Sequence, residues 1–183
     1  MNWRNTPRSW GAISKFLHWL ILLLVLGQWA LAQYADGQPL AAKGPPLNLH
    51  KSIGMTILAL AIVRLVWRLA NPVPKLAGLA RRWERALAWL SHALLYVLIF
   101  AMPVTGWLMS SARNFPVAWF GLFQFPDLVS PSRALYRQMH DIHETLFAML
   151  VTVALVHAAG ALKHHFVDRN EVLRRMLPFG GVR

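Results

Sequence analysis

The sequence predicts an all-α integral membrane protein, a four-helix transmembrane bundle in a single domain over 1–183. Three observations predict it. Only 14% of the residues are charged and 56% are hydrophobic, whereas an ordinary soluble domain carries about 25% charged residues. Four apolar stretches, at about 12–34, 49–70, 86–110 and 142–163, each reach the ~20 helical residues needed to cross a ~30 Å hydrocarbon core. The basic residues, finally, are sorted by side. Arg4, Arg8, Lys15, Arg64, Arg68, Lys75, Arg81, Arg82, Arg85, Lys163, Arg169, Arg174, Arg175 and Arg183 fall on one side of a four-span chain. Only Lys43, Lys51, Arg113, Arg133 and Arg137 fall on the other. That asymmetry places both termini in the cytoplasm.

The runs are continuous, unlike the ~10-residue alternating segments of a transmembrane barrel. The net charge of +12 would suit nucleic acid if it were clustered on one soluble face. Its division between loops and tails points to lipid as the partner instead, and no nucleic-acid role is expected. The absence of cysteine excludes disulfides, thiolate-held iron–sulfur clusters and the C-x-x-C-H attachment of c-type haem. Neither G-x-G-x-x-G nor G-x-x-x-x-G-K-[ST] occurs, which removes the common nucleotide sites.

Helix one, about 12–34, leaves the cytoplasm. Its end, Ala30–Ala32, has the look of a signal-peptide cleavage site, but the run from Ile13 to Tyr34 exceeds a usual signal core and carries His18. It is read as a retained span. In the following loop, Pro45-Pro46 is expected to stop any helix, with helix two starting near Asn48 as N-cap and ending at Asn71-Pro72. A basic segment with Trp83 and Trp89 leads into helix three, where Pro103 and Gly106 predict a kink. The outer loop, 111–139, carries Phe115, Trp119, Phe120, Phe123 and Phe125, rings suited to the membrane interface. Helix four, about 142–163, completes the bundle.

The histidines carry the chemistry. Polar groups inside a span are costly and are functional candidates. The ordinary alternative, a hydrogen bond between helices, is worth only ~0.6 kcal/mol and would suit a haem-free transporter or scaffold. His143 and His157 lie fourteen residues apart on helix four, which is about 21 Å of rise and within about 40° of one face. His18 matches His157 in depth, and His50 matches His143. Each pair could grip one iron axially in the bundle core. His92, on helix three, lies at the cytoplasmic depth and contends for that pair; the interval favours His157, but spacing does not decide between His18 and His92. Gly54, Ala154, Ala158, Gly160 and Ala161 offer room for a flat macrocycle near these positions. His140, His164 and His165 stand at helix ends, where wet interfacial imidazoles are the ordinary reading and contact with haem propionates or a proton path the functional one.

The segments "SKFLHWLI", "LNLHKSIGMTILALAIVRLVWRL", "SHALLYVLIFAMPVTGWLM", "IHETL" and "VHAAGALKHHF" together resemble the bacterial cytochrome b561 family, nearly end to end from about 13 to 178. The resemblance implies a small four-helix protein of the bacterial inner membrane with two haem b groups. It implies axial ligands His18 and His157 on the cytoplasmic side and His50 and His143 on the outer side, with His92 a non-ligand. It also implies electron exchange with the quinone pool, and oxidation of superoxide coupled to ubiquinone reduction is the activity attributed to one close type of member. Other relatives serve as membrane cytochrome subunits, relaying electrons for a partner dehydrogenase or a periplasmic carrier. On the first of these readings, Lys51, Arg113, Arg133 and Arg137 would steer superoxide. His92, His164 and His165 would be the proton and quinone candidates.

Overall fold

The computed structural model describes residues 2–74 and 81–179. The expected features at Lys75 and Arg183 lie outside those residues. Four helices are long and apolar enough to cross a membrane: α1 (Ala12–Asp36), α2 (Gly44–Leu69), α3 (Arg82–Ala112) and α4 (Arg133–Phe166). Only 6–22% of each apolar window is buried inside the protein. Leu23, Val66, Val97 and Leu155 are among the large side chains that face outward. In water this would expose far too much apolar surface; in lipid it is the expected outer face. The chain is therefore an all-α membrane protein with four spanning helices.

Three helix starts differ from the sequence expectation, each for a local reason. α2 begins at Gly44, so Pro45 and Pro46 occupy its first turn instead of blocking it. The first-turn N–H groups have no partner inside a helix, and proline's missing donor costs nothing there. α3 begins at Arg82, where the Glu84 carboxylate reaches back to accept the Arg81 N–H at 2.7 Å, the return half of a capping box. α4 begins at Arg133, nine residues before the expected 142. There the Ser132 hydroxyl accepts the Leu135 N–H at 3.3 Å, and the Ser132 N–H donates to the Ala112 carbonyl at 2.8 Å. Polar residues 133–141 hid this start, because the apolar pattern begins only after it.

α1 is preceded by a compact N-terminal segment. The buried Asn5 side chain accepts the Gly11 N–H at 3.0 Å and the Ser14 hydroxyl at 2.7 Å. α3 ends on Asn114 with φ 56°, a left-handed terminal residue of the kind asparagine tolerates. The loop after α3 is a small hairpin, β1 (Ala118–Trp119) against β2 (Phe123–Gln124), with Trp119 opposite Phe123. Phe120 and Gly121 both have positive φ, 49° and 73°, in a turn closed by Leu122 N–H to the Trp119 carbonyl at 2.9 Å. A short helix, α5 (Val172–Met176), follows α4.

By contacts the chain divides into two compact units, and every spanning helix contributes to both. The terminal unit comprises Met1–Leu20, Ile62–Val97 and Leu150–Arg183; the loop unit comprises Ile21–Ala61 and Leu98–Met149.

Candidate cofactor sites

The loop unit holds His50 and His143. His143 Nδ1 lies 3.0 Å from the Thr105 hydroxyl, whose own proton is directed to the Ala101 and Met102 carbonyls at 2.9 Å. A Thr105 hydroxyl that gives its proton to either carbonyl accepts from His143 in this contact. Nδ1 therefore carries the ring proton and Nε2 keeps a free lone pair, the arrangement second-shell partners impose on metal-binding histidines. A Cβ at Gly106 would stand 3.4 Å from His143 Cε1, so the missing side chain lets the ring lie against the α3 backbone. The His50 Nδ1 atom is buried without a hydrogen-bond partner. Gln28 Nε2 donates to the His50 carbonyl at 2.8 Å. Gly54 makes room for that glutamine, whose Nε2 would lie 3.3 Å from a Cβ there.

All four bases expected to steer superoxide belong to this unit, and two of them meet at one ring. Lys51 lies 5.6 Å and Arg113 5.2 Å from the centre of the Phe115 ring, and Arg113 also lies 4.7 Å from Tyr136. Lys51 donates to the Pro116 carbonyl at 3.1 Å. Arg133 and Arg137 are exposed on the first turns of α4. The hairpin is pinned to one face of α2. The Ser52 hydroxyl accepts the Phe120 N–H at 3.0 Å and shares its proton between the Asn48 and Ala118 carbonyls at 2.9 Å, and Trp119 Nε1 donates to Thr56 at 3.0 Å. The loop expected to lie along the interface is thus a folded cover on α2, although Phe115, Phe120 and Phe123 remain about half exposed.

The terminal unit brings His18, His92 and His157 together. The ring centres of His18 and His157 are 6.4 Å apart, and those of His92 and His157 are 4.8 Å apart. His92 Nδ1 donates to the Ala88 carbonyl one turn earlier. His18 is bonded differently: its Nδ1 lies 3.3 Å from Arg64 Nη2, while Arg64 Nη1 donates to the Ser14 carbonyl at 3.0 Å. A guanidinium can only donate, so in this arrangement Nδ1 of His18 is an acceptor. Gly160 faces open space.

His164 corrects the expectation of a wet imidazole: it is 8% exposed, and its Nδ1 lies 2.6 Å from Asp168 Oδ2. Lys163 bridges Asp168, at 2.8 Å, to the buried Glu84. The Lys163 ammonium and then His164 hold the Asp168 carboxyl below its usual range, against some desolvation. His165 stacks edge-on to Phe166 at 4.8 Å. His140 is 43% exposed and sits 3.6 Å from Asp141 and 3.7 Å from Glu144.

Sequence reasoning assigned no role to Thr105 or Gln28, and counted Arg64 only towards the charge of the cytoplasmic side. Gln28 and Arg64 were visible as polar groups inside spans. Thr105 carried no signal, because a threonine hydroxyl is easily satisfied by its own helix. Among the described residues, no three or more His, Cys, Asp or Glu side chains are grouped to cage a metal ion. An ion gripped by a histidine pair would take its other donors from a non-protein ligand.

A sequence model of the family described as prokaryotic cytochrome b561 matches residues 9–179. The chain is 34% identical over 183 residues to Cytochrome b561 homolog 2 of Escherichia coli (strain K12), covering 97% of this chain and 95% of that protein. It is 30% identical over 171 residues to Probable superoxide oxidase CybB of Yersinia pestis, covering 93% and 97%. It is 26% identical over 168 residues to Cytochrome b561 homolog 1 of Escherichia coli (strain K12), covering 89% and 93%.

Proposed function

The chain belongs to the prokaryotic cytochrome b561 family of haem b membrane proteins, and from that premise we propose that it is a di-haem superoxide:ubiquinone oxidoreductase of the bacterial inner membrane, with both termini cytoplasmic. His18 and His157 hold one haem and His50 and His143 the other.

The observation that carries the ligand assignment is the 6.4 Å between the His18 and His157 ring centres. Those two rings would hold one haem iron between them, their spacing leaving room for a single ion. His92 stands too close to His157, at 4.8 Å, to share an ion with it in that way. In the loop unit, the free Nε2 of His143 and the buried, unpartnered Nδ1 of His50 fit the same donor chemistry.

When bound, haem supplies one-electron exchange between ferric and ferrous iron. The balance of the reaction is then simple: two superoxide anions each lose one electron to become O2, and ubiquinone takes two electrons and two protons to become the quinol. The rest falls to side chains. Lys51 and Arg113, with Arg133 and Arg137 on α4, raise the local concentration of an anionic donor. His164, bonded to Asp168, and His92, with its Nδ1 on Ala88, would pass the protons, a role their hydrogen bonds support. His165 belongs to the same end of α4. The printed name of the Yersinia relative favours superoxide as the donor.

The test is electron transfer from enzymatically generated superoxide to a soluble ubiquinone in purified holoprotein, with no other polypeptide present. Quinol should accumulate. A preparation with both haems and no quinone reduction would instead mark a cytochrome subunit that relays electrons for a partner dehydrogenase or periplasmic carrier; a colourless one would restore the haem-free reading.

A further inference from the structure

Among the described residues, Arg64 is a cation with no carboxylate beside it. It sits half-buried in the last turns of the α2 span, where a charge still favours a partner although it is far from the bilayer centre. The chain has seven carboxylates. Those in the described part of the terminal unit are committed elsewhere: Glu84 to Lys163, Asp168 to Lys163 and His164, and Glu171 to Arg175. Among the described residues, Arg64 makes no ion pair. One turn later Arg68 adds a second cation, lying 5.9 Å from the Trp10 ring and 5.8 Å from the Tyr96 ring. Two like charges one helical turn apart repel each other, so both favour an anion beside them.

The groups that surround Arg64, namely the Ser14 carbonyl, the His18 ring and the Tyr96 phenol, are all uncharged. The Ser14 carbonyl is four residues before His18 on α1, the position from which a backbone carbonyl accepts an imidazole Nδ1–H, as Ala88 does for His92. Arg64 occupies that carbonyl and also donates towards Nδ1 of His18. Both are neutral acceptors, so they leave the charge of the guanidinium uncompensated.

We propose that Arg64 is the anchor for a propionate carboxylate of the haem held by His18 and His157. The inference rests on the ligand reading above and adds a positioning residue to it. A fixed cation beside the porphyrin also favours the ferrous state, which carries one positive charge fewer, and so raises the potential of that haem.

The test compares haem b with its dimethyl ester, whose carboxylates are masked, titrated into the detergent-solubilised full chain stripped of haem. Wild type, Arg64→Gln and Arg64→Lys are followed in the visible spectrum, with redox titration of each haem. For wild type, esterification should weaken binding at the His18–His157 site roughly ten- to hundredfold, the scale of a charge-assisted hydrogen bond. For Arg64→Gln the two haems should bind alike at that site, and its potential with ordinary haem should fall while that of the His50–His143 haem stays put. Arg64→Lys should recover most of both effects. An equal ester penalty in wild type and Arg64→Gln would overturn the proposal, and so would loss of that haem from Gln and Lys variants alike, which marks a structural tie. Wild type that takes up no haem b at all would sink the ligand reading itself, a distinct failure.

Discussion

The two units differ in what stands beside their histidines. In the loop unit the proposed ligand His143 meets a neutral hydroxyl, Thr105, and its ring lies against α3 at Gly106. In the terminal unit the proposed ligand His18 meets a cation, Arg64. The proposed ligands in both are histidines on spanning helices, so like donors stand in unlike electrostatic surroundings.

The largest effect that can break this comparison is loss of a ligand. His157→Ala should cut haem from two per chain to one by removing the terminal-unit haem, and His143→Ala should do the reverse, read by the reduced b-type spectrum. Retention of both haems in either variant would refute the pairing. Next, Thr105→Val keeps the shape but removes the acceptor for His143 Nδ1–H. Haem uptake by the loop unit should then fall about tenfold or more, within the 10–100-fold range for second-shell losses, with the terminal unit unchanged.

The same unit is sharpened by Ser52→Ala. That change strands the Phe120 N–H and the Ala118 carbonyl and should cost the hairpin about 1–3 kcal/mol, seen as faster hydrogen exchange over residues 117–125. Removing Lys51 and Arg113 together should slow the reaction with superoxide only several-fold and flatten its salt dependence. The smallest effect is acid weakening of the terminal unit. Asp168 titrates lower in the folded protein than in an unfolded chain, so its contribution is complete above the ordinary carboxylate range and is lost as pH falls through the depressed value. Lys163→Met should remove most of that acid-dependent change in melting temperature.

Much of this was legible in the sequence. The four spans follow from the length of the apolar runs, because lipid demands an unbroken hydrogen-bonded helix. His18, His92 and His157 were expected at one depth, and they do meet in one unit. What the sequence hid were features without hydropathy. The start of α4 lies in a polar stretch, and Pro45-Pro46 reads as a stop unless it falls in a first turn. The bond from Arg64 to His18 joins residues on different helices at no regular spacing, so no pattern announces it. His164 looked wet because it ends a span, yet Asp168, four residues on, folds back to cover it.

The knot at the start of α1 has a practical consequence for anyone handling the molecule. At Gly11 a Cβ would fall 2.4 Å from the Trp3 carbonyl oxygen, closer than atoms can stand, so in a mutational scan that column should read blank while neighbouring surface positions fill in. An affinity handle fused at this end therefore calls for a spacer. Without one it would tug on Trp3 and Asn5, and through them on the first turn of the helix that presents His18.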